Sequence, residues 1–167
     1  MTRLARRNGL FASRRRFLGV AVAVLLLGVV GPSVGDFVRA QSAEQRHLQA
    51  DKAAEMIGRN ALMLVDVRSP REWRDTGIPK SARTVTIHDP EGFVAFVEKI
   101  VAASDGDLNR PVGLICAAGV RSSYAYKLLQ ERGFTNVYNV TEGMFGNPNY
   151  GPGWLKRDLP IEPCEDC

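Results

Sequence analysis

Short apolar runs alternate with amphipathic stretches over residues 46–140 of the chain. "ALMLVDV" (61–67), "RTVTI" (83–87), "PVGLIC" (111–116) and "NVYNV" (136–140) are brief, branched and bounded by turn formers, the pattern of buried strands. "RHL" at 46–48 adds a short first strand. Between them lie "ADKAAEMIGRN", "PREWRD", "PEGFVAFVEKIVAAS" and "RSSYAYKLLQERG", which carry helical spacing. The last sets Tyr124 against Leu128 and Ala125 against Leu129 at i, i+4, and Gly133 supplies its stop. Strands alternating with helices predict an α/β fold: a parallel sheet of about five strands with helices on both faces. From Glu142 onward Gly, Pro and Asn are dense, which predicts mostly loop.

The first 40 residues follow a different pattern. Arginines at 3, 6, 7, 14, 15 and 16 precede an uncharged apolar run from Leu18 to Val30, broken by Gly31, Pro32 and Ser33. "VRA" at 38–40 offers a small residue for cleavage before Gln41, so residues 1–40 read as an export signal. "SRRRFLG" at 13–19 resembles the twin-arginine export pattern, with the ordinary export route as the alternative. An uncleaved membrane anchor is the competing reading, since Phe17 to Gly35 carries no charge. The expected organisation is therefore a leader or anchor at 1–40, one domain at 41–163 and a tail at 164–167. The expected location is periplasmic or otherwise exported.

The leader also changes the meaning of the charge. The full chain carries +4, but residues 41–167 hold 15 Lys/Arg and 17 Asp/Glu, a net of −2. The basic balance belongs to targeting and gives no reason to expect a nucleic-acid partner.

Of the three cysteines, Cys164 and Cys167 form a C-x-x-C pair in "EPCEDC", which leaves Cys116 alone. A lone thiol in an exported protein points to reactivity. Cys116 ends an apolar strand, and "AAGVRS" then leads into a helix. In open α/β sheets ligands bind beyond the carboxyl ends of the strands. A loop of Ala117, Ala118, Gly119 and Val120 can turn successive N–H groups toward the sulfur, and the helix start adds its positive end. Both favour the nucleophilic thiolate. Gly119 permits the backbone angles of a tight cradle. Arg121 can fork onto the oxygens of an anionic donor. The plain alternative is a buried thiol that only packs.

Together these segments resemble a single rhodanese domain, a sulfurtransferase module. "LVDVRSPREW" resembles the family's Asp-Val-Arg segment with its trailing glutamate, and "GIPKSA" the stretch leading into the next strand. "CAAGVRS" (Cys116 to Ser122) matches the active-site loop, and "GWLKRDLPIE" the closing Trp…Leu-Pro segment. The resemblance implies a persulfide on Cys116, formed from a donor such as thiosulfate and passed to cyanide or a thiol, including a thiol on a protein. It implies no metal and no organic cofactor. The sequence departs from the family in lacking a histidine in "DTGIPKSA", in having "TEGMFG" where paired glycines are common, and in the extended "NPNYGPGW".

Two rival functions remain. One is a phosphatase or arsenate reductase on the same fold, whose cradle has one residue more than the six from Cys116 to Arg121. The other is a non-catalytic binding module, against which the intact cysteine argues. Asp66 and Arg68 are read as pocket support or, with Glu72, as a structural ion-pair and capping network. His88 and His47 read as solvated, and Trp73 and Trp154 as packing aromatics. For Cys164 and Cys167 a local disulfide is the simplest reading. A metal site lacks further ligands, and a redox role with Cys116 is the third option.

Overall fold

The computed structural model describes residues 46–164 and Cys167. The expected leader, with its twin-arginine pattern and expected cleavage site, lies outside these residues. Among the described residues no helix is long and apolar enough to cross a membrane.

The expected parallel sheet is present. β1 (His47–Leu48), β2 (Met63–Asp66), β4 (Arg83–Thr84), β5 (Val112–Ile115) and β6 (Val137–Val140) line up in the order β1-β6-β5-β2-β4, all parallel. β2 and β5 are buried at every position, as expected for strands covered on both faces. On one face α3 (Phe93–Ala103) and α4 (Val120–Arg132) close a core around Phe96, Ile100, Leu114, Ala125 and Leu129. On the other, α1 (Ala50–Gly58) and the short α5 (Gly153–Lys156) pack Ala50, Ala53, Ile115, Met144 and Trp154. Within α4 the buried positions are Ser122, Ala125, Tyr126 and Leu129, while Tyr124 is turned outward. Of the Tyr124–Leu128 pair read from the sequence Tyr124 is thus exposed and Leu128 partly buried against the core, while Ala125–Leu129 is the fully buried pair.

The remaining helix, α2 (Pro70–Thr76), starts with a complete capping box. Ser69 Oγ accepts from the Glu72 N–H, and the Glu72 carboxylate accepts from the Ser69 N–H, with Pro70 at the first helical position. β3 (Ile78–Pro79) follows and pairs antiparallel with β7 (Ile161–Glu162) outside the main sheet.

The stretch after Glu142 is the part that pattern reading undervalues. It is largely turns, as expected, yet Glu142, Met144 and Trp154 are buried. Glu142 carries a buried carboxylate that accepts from Arg157 Nε (2.7 Å), Arg157 Nη2 (2.8 Å) and the Gly153 N–H (3.0 Å). Burial would push this carboxyl up; the Arg157 and Gly153 bonds outweigh it and hold it below the usual range. An ion pair between the buried Glu142 and the partly exposed Arg157 therefore ties the tail back onto the segment after β6.

Candidate active site

Cys116 follows directly on β5, the central strand, and is 1% exposed. Its Sγ receives the Gly119 N–H at 3.2 Å and the Ser122 hydroxyl at 3.3 Å. Both donors lie where β5 turns into α4, so the helix start and the loop converge on the sulfur.

The loop's shape is set by what grips its carbonyls. The Cys116 carbonyl accepts from the Met144 N–H (2.8 Å) and the Ala117 carbonyl from the Phe145 N–H (2.9 Å). The Ala118 carbonyl accepts from Asn147 Nδ2 (2.9 Å) and the Gly119 carbonyl from Asn139 Nδ2 (3.3 Å). These four donors come from one later segment, 139–147, and the Gly119 carbonyl also accepts from the Ser123 N–H of α4 (3.1 Å). In a trans peptide C=O and N–H point oppositely. The N–H groups of Ala117, Ala118, Gly119 and Val120 therefore turn away from that segment, on the side where the Gly119 N–H meets Sγ. Such a row of amides is a nest for negative charge.

Two glycines make this approach close enough. Gly119 has φ +89°, and a Cβ there would run into the Thr141 carbonyl. Gly143 has φ +64°, and its Cβ would sit 2.5 Å from the Ala117 oxygen and 2.6 Å from the Ala118 nitrogen. "TEGMFG", which departs from the family's usual pairing, thus still provides a glycine where backbone meets backbone.

Arg121 is placed differently from the sequence expectation. Its guanidinium makes a two-pronged pair with Glu72, Nη1 to Oε2 at 2.7 Å and Nη2 to Oε1 at 2.6 Å. The fork offered to an anionic donor is engaged by a carboxylate of the protein itself. The physical reason is complementarity: a planar fork binds a carboxylate through two parallel bonds, and the capping box of α2 holds Glu72 within reach. The Arg121 bonds hold the Glu72 carboxyl at about 2 against its usual 4.5, with burial opposing and the Ser69 N–H and hydroxyl adding. The same pair pushes Arg121 up, burial opposes, and the nearby Cys116 and Asp66 charges add. Arg121 thus joins α2 to the start of α4.

This sets an acid dependence. A carboxyl depressed in the fold contributes its full stability above the ordinary value and loses it as pH falls through the folded one. Unfolding followed against pH should show stability declining from about 4.5 toward about 2. Arg121→Ala should lower stability at neutral pH and flatten that decline. Wild-type and Arg121→Ala curves that run parallel over this window would remove the pair as the cause.

Asp66 and Arg68 support the site from beneath and do not line its mouth. Both are 0% exposed. Arg68 Nε reaches both Asp66 oxygens at 2.9 Å, and Nη2 reaches Oδ2 at 2.6 Å. The outer nitrogens donate to Thr76 Oγ1 and Gly77 O at 2.8 Å and to Glu72 O at 3.4 Å. This pair holds α2 by its backbone, while the Glu72 side chain turns to Ser69 and Arg121. The expected three-residue ion-pair and capping network is therefore two linked devices.

The other candidates separate from Cys116. His88 is exposed, and His47 stacks on Tyr150 at 5.4 Å. Trp73 and Trp154 are buried, the latter donating Nε1 to the Pro160 carbonyl at 3.0 Å. Cys164 and Cys167 are joined as a disulfide beside α2, where the Cys167 carbonyl accepts from Arg74. Among the described residues no cluster of three or more His, Cys, Asp or Glu could hold a metal. Asn139, Glu142 and Asn147 were missed by sequence reading; the glycines of "TEGMFG" were the one signal that backbone comes close there.

Comparison with known proteins agrees with this fold. A thiosulfate sulfurtransferase, GlpE of Vibrio cholerae, is 28% identical over 116 residues, covering 70% of this chain and 93% of the relative. The crystal structure of Rv0390 from M. tuberculosis superposes with a TM-score of 0.56 at 28% identity, covering 72% of this chain and 98% of that one. The solution structure of the polysulfide-sulfur transferase homodimer from Wolinella succinogenes gives 0.55 at 28% identity, covering 78% and 87%. The family model for the rhodanese-like domain matches residues 49–146, more than half of the chain, with the Cys116 loop inside it. The chain belongs to the rhodanese-like domain family.

Proposed function

We propose that the protein is a sulfurtransferase that carries a sulfane sulfur on Cys116. The observation that supports this most is the sulfur at the focus of the Gly119 N–H and the Ser122 hydroxyl, within a row of similarly turned amides. The Cys116 thiolate attacks the outer sulfur of a donor such as thiosulfate. The donor's S–S bond breaks, sulfite leaves with the electron pair, and a Cys116 persulfide remains. An acceptor thiolate or cyanide attacks the terminal sulfur, and Cys116 leaves as thiolate. The negative charge stays on sulfur in the cradle in both resting states. A thiol on a small molecule or on a protein surface fits the acceptor role. Relatives named for thiosulfate and polysulfide transfer support the same reading.

The cradle supports sulfur over phosphate. From Cys116 to Arg121 the loop is one residue shorter than the Cys-x5-Arg cradle of phosphatases. Its arginine is also committed to Glu72. The test is mass spectrometry of the protein after incubation with thiosulfate, where Cys116 should gain about 32 Da and lose it as thiocyanate on adding cyanide. Hydrolysis of an aryl phosphate through Cys116 with no gain of mass would replace this reading.

The arginine-rich leader and the Cys164–Cys167 disulfide support an exported, oxidising compartment for this reaction. Protein recovered from an exporting bacterial host should have an intact mass that starts at Gln41. Full-length protein in the membrane fraction would support an anchor instead.

A further inference from the structure

The four donors that the 139–147 segment brings to the carbonyls of the Cys116 loop differ in kind. Met144 and Phe145 use backbone N–H groups, which any residue supplies. Asn139 and Asn147 use side-chain amides, which depend on those two residues. Asn139 stands in β6, buried within the fold. Asn147 stands in the "NPNYGPGW" extension, just past the last residue that the family model matches.

We infer that Asn147 is a positioning residue for the sulfur chemistry, fixing through its Nδ2 the peptide whose N–H contacts Cys116. That peptide joins Ala118 to Gly119. Asn147 holds its oxygen at 2.9 Å, and its nitrogen donates to Sγ at 3.2 Å. Gly119 is the residue with the freest backbone in the loop, so this peptide is the one most able to rotate away. A rotation would present an oxygen lone pair to a thiolate or persulfide in place of a proton.

Asn147 is built to resist that rotation. Its N–H donates to the Gly151 carbonyl at 2.8 Å, and its own carbonyl accepts from Gly151 at 2.9 Å and from Tyr150 at 3.0 Å. Its Oδ1 accepts from the Asn149 N–H at 3.0 Å, which orients the amide and leaves Nδ2 for Ala118. The Tyr150 ring of the same turn stacks on His47 of β1, tying the turn to the sheet edge. The extension thus works as a rigid bracket that ends in one donor.

The inference rests on the proposed use of Cys116 as a nucleophile, but its test does not need turnover. Asn147→Asp keeps an oxygen for the Asn149 N–H and replaces the donor to Ala118 with a negative charge. Asn147→Ala removes both. The readout is the ultraviolet absorbance of the Cys116 thiolate at neutral pH, with Cys116→Ser as the blank. Both variants should show the thiolate fraction lowered about threefold or more, consistent with losing one aligned donor. The new carboxylate in Asn147→Asp could also act by charge alone. In about 1 M salt, where an exposed charge is screened within about 3 Å, the deficit should persist. Thiolate fractions equal to wild type in both variants would overturn the inference. So would a deficit seen only in Asn147→Asp and abolished by salt. A wild-type protein that accepts no sulfur, with the deficit intact, would sink the sulfurtransferase reading and leave this one standing.

Discussion

Cys116→Ser should leave no protein-bound sulfur after incubation with thiosulfate and should lower thiocyanate formation by about 10⁴-fold or more. The serine oxygen fits where Sγ sits, so the fold should survive, and the loss is chemical. A hydroxyl stays protonated at neutral pH even beside the Gly119 N–H and the Ser122 hydroxyl. An oxygen nucleophile also cannot form a persulfide. The measurement is intact mass for the first half-reaction and thiocyanate colour for the second. Retention of either at more than about a hundredth of the wild-type rate would move the sulfur to another thiol. The Cys164–Cys167 pair would then be the place to look.

Gly119→Ala should be the most damaging single substitution in the loop that leaves the cysteine in place. Two costs add. At φ +89° an alanine is strained by about 1–2 kcal/mol. Its Cβ would also collide with the Thr141 carbonyl, which belongs to backbone and cannot swing aside. Relief requires the loop to lift off the 139–147 segment, breaking the grip on the Ala118 and Gly119 carbonyls. Together the expected loss is about 3 kcal/mol, or a drop in Tm on the order of 10 °C. Sulfur transfer should fall by about 100-fold even below the new Tm, because the Gly119 N–H leaves the sulfur. Thermal melting and steady-state rates check both; an alanine variant within about 2 °C of wild type would mean that the loop and Thr141 are not in fixed contact.

Much of this was legible in the sequence, for a definable reason. The central strands β2 and β5 announce themselves because their residues are buried on both faces, and the Cys116 loop because strand, cysteine, glycine and helix start follow one another directly. Local order was enough for both. What stayed hidden depends on contacts between distant residues. Nothing adjacent to Arg121 says that Glu72, 49 residues earlier, takes its guanidinium. The fork and the capped carboxylate are each readable, but their meeting is set by how α2 and α4 pack at the same sheet edge. The segment after Glu142 reads as loop because its burial rests on one internal ion pair and on Trp154, not on periodicity. β3 and β7, two residues each, carry too little pattern to be seen.

The cradle also has a place in the order of folding. Cys116 itself, its strand and the start of α4 leave any template early in the chain, but the groups that turn its amides follow 20 to 29 residues later. Trp154 and Arg157, which anchor that later segment, come later still. Until they dock, the loop's carbonyls lack the partners that fix the direction of its amides. The cradle is completed only when that later segment is in place. A chain cut short before residue 147 would display the whole active-site motif and lack Asn147, Trp154 and Arg157, three of the groups that hold the loop and its neighbouring segment in place.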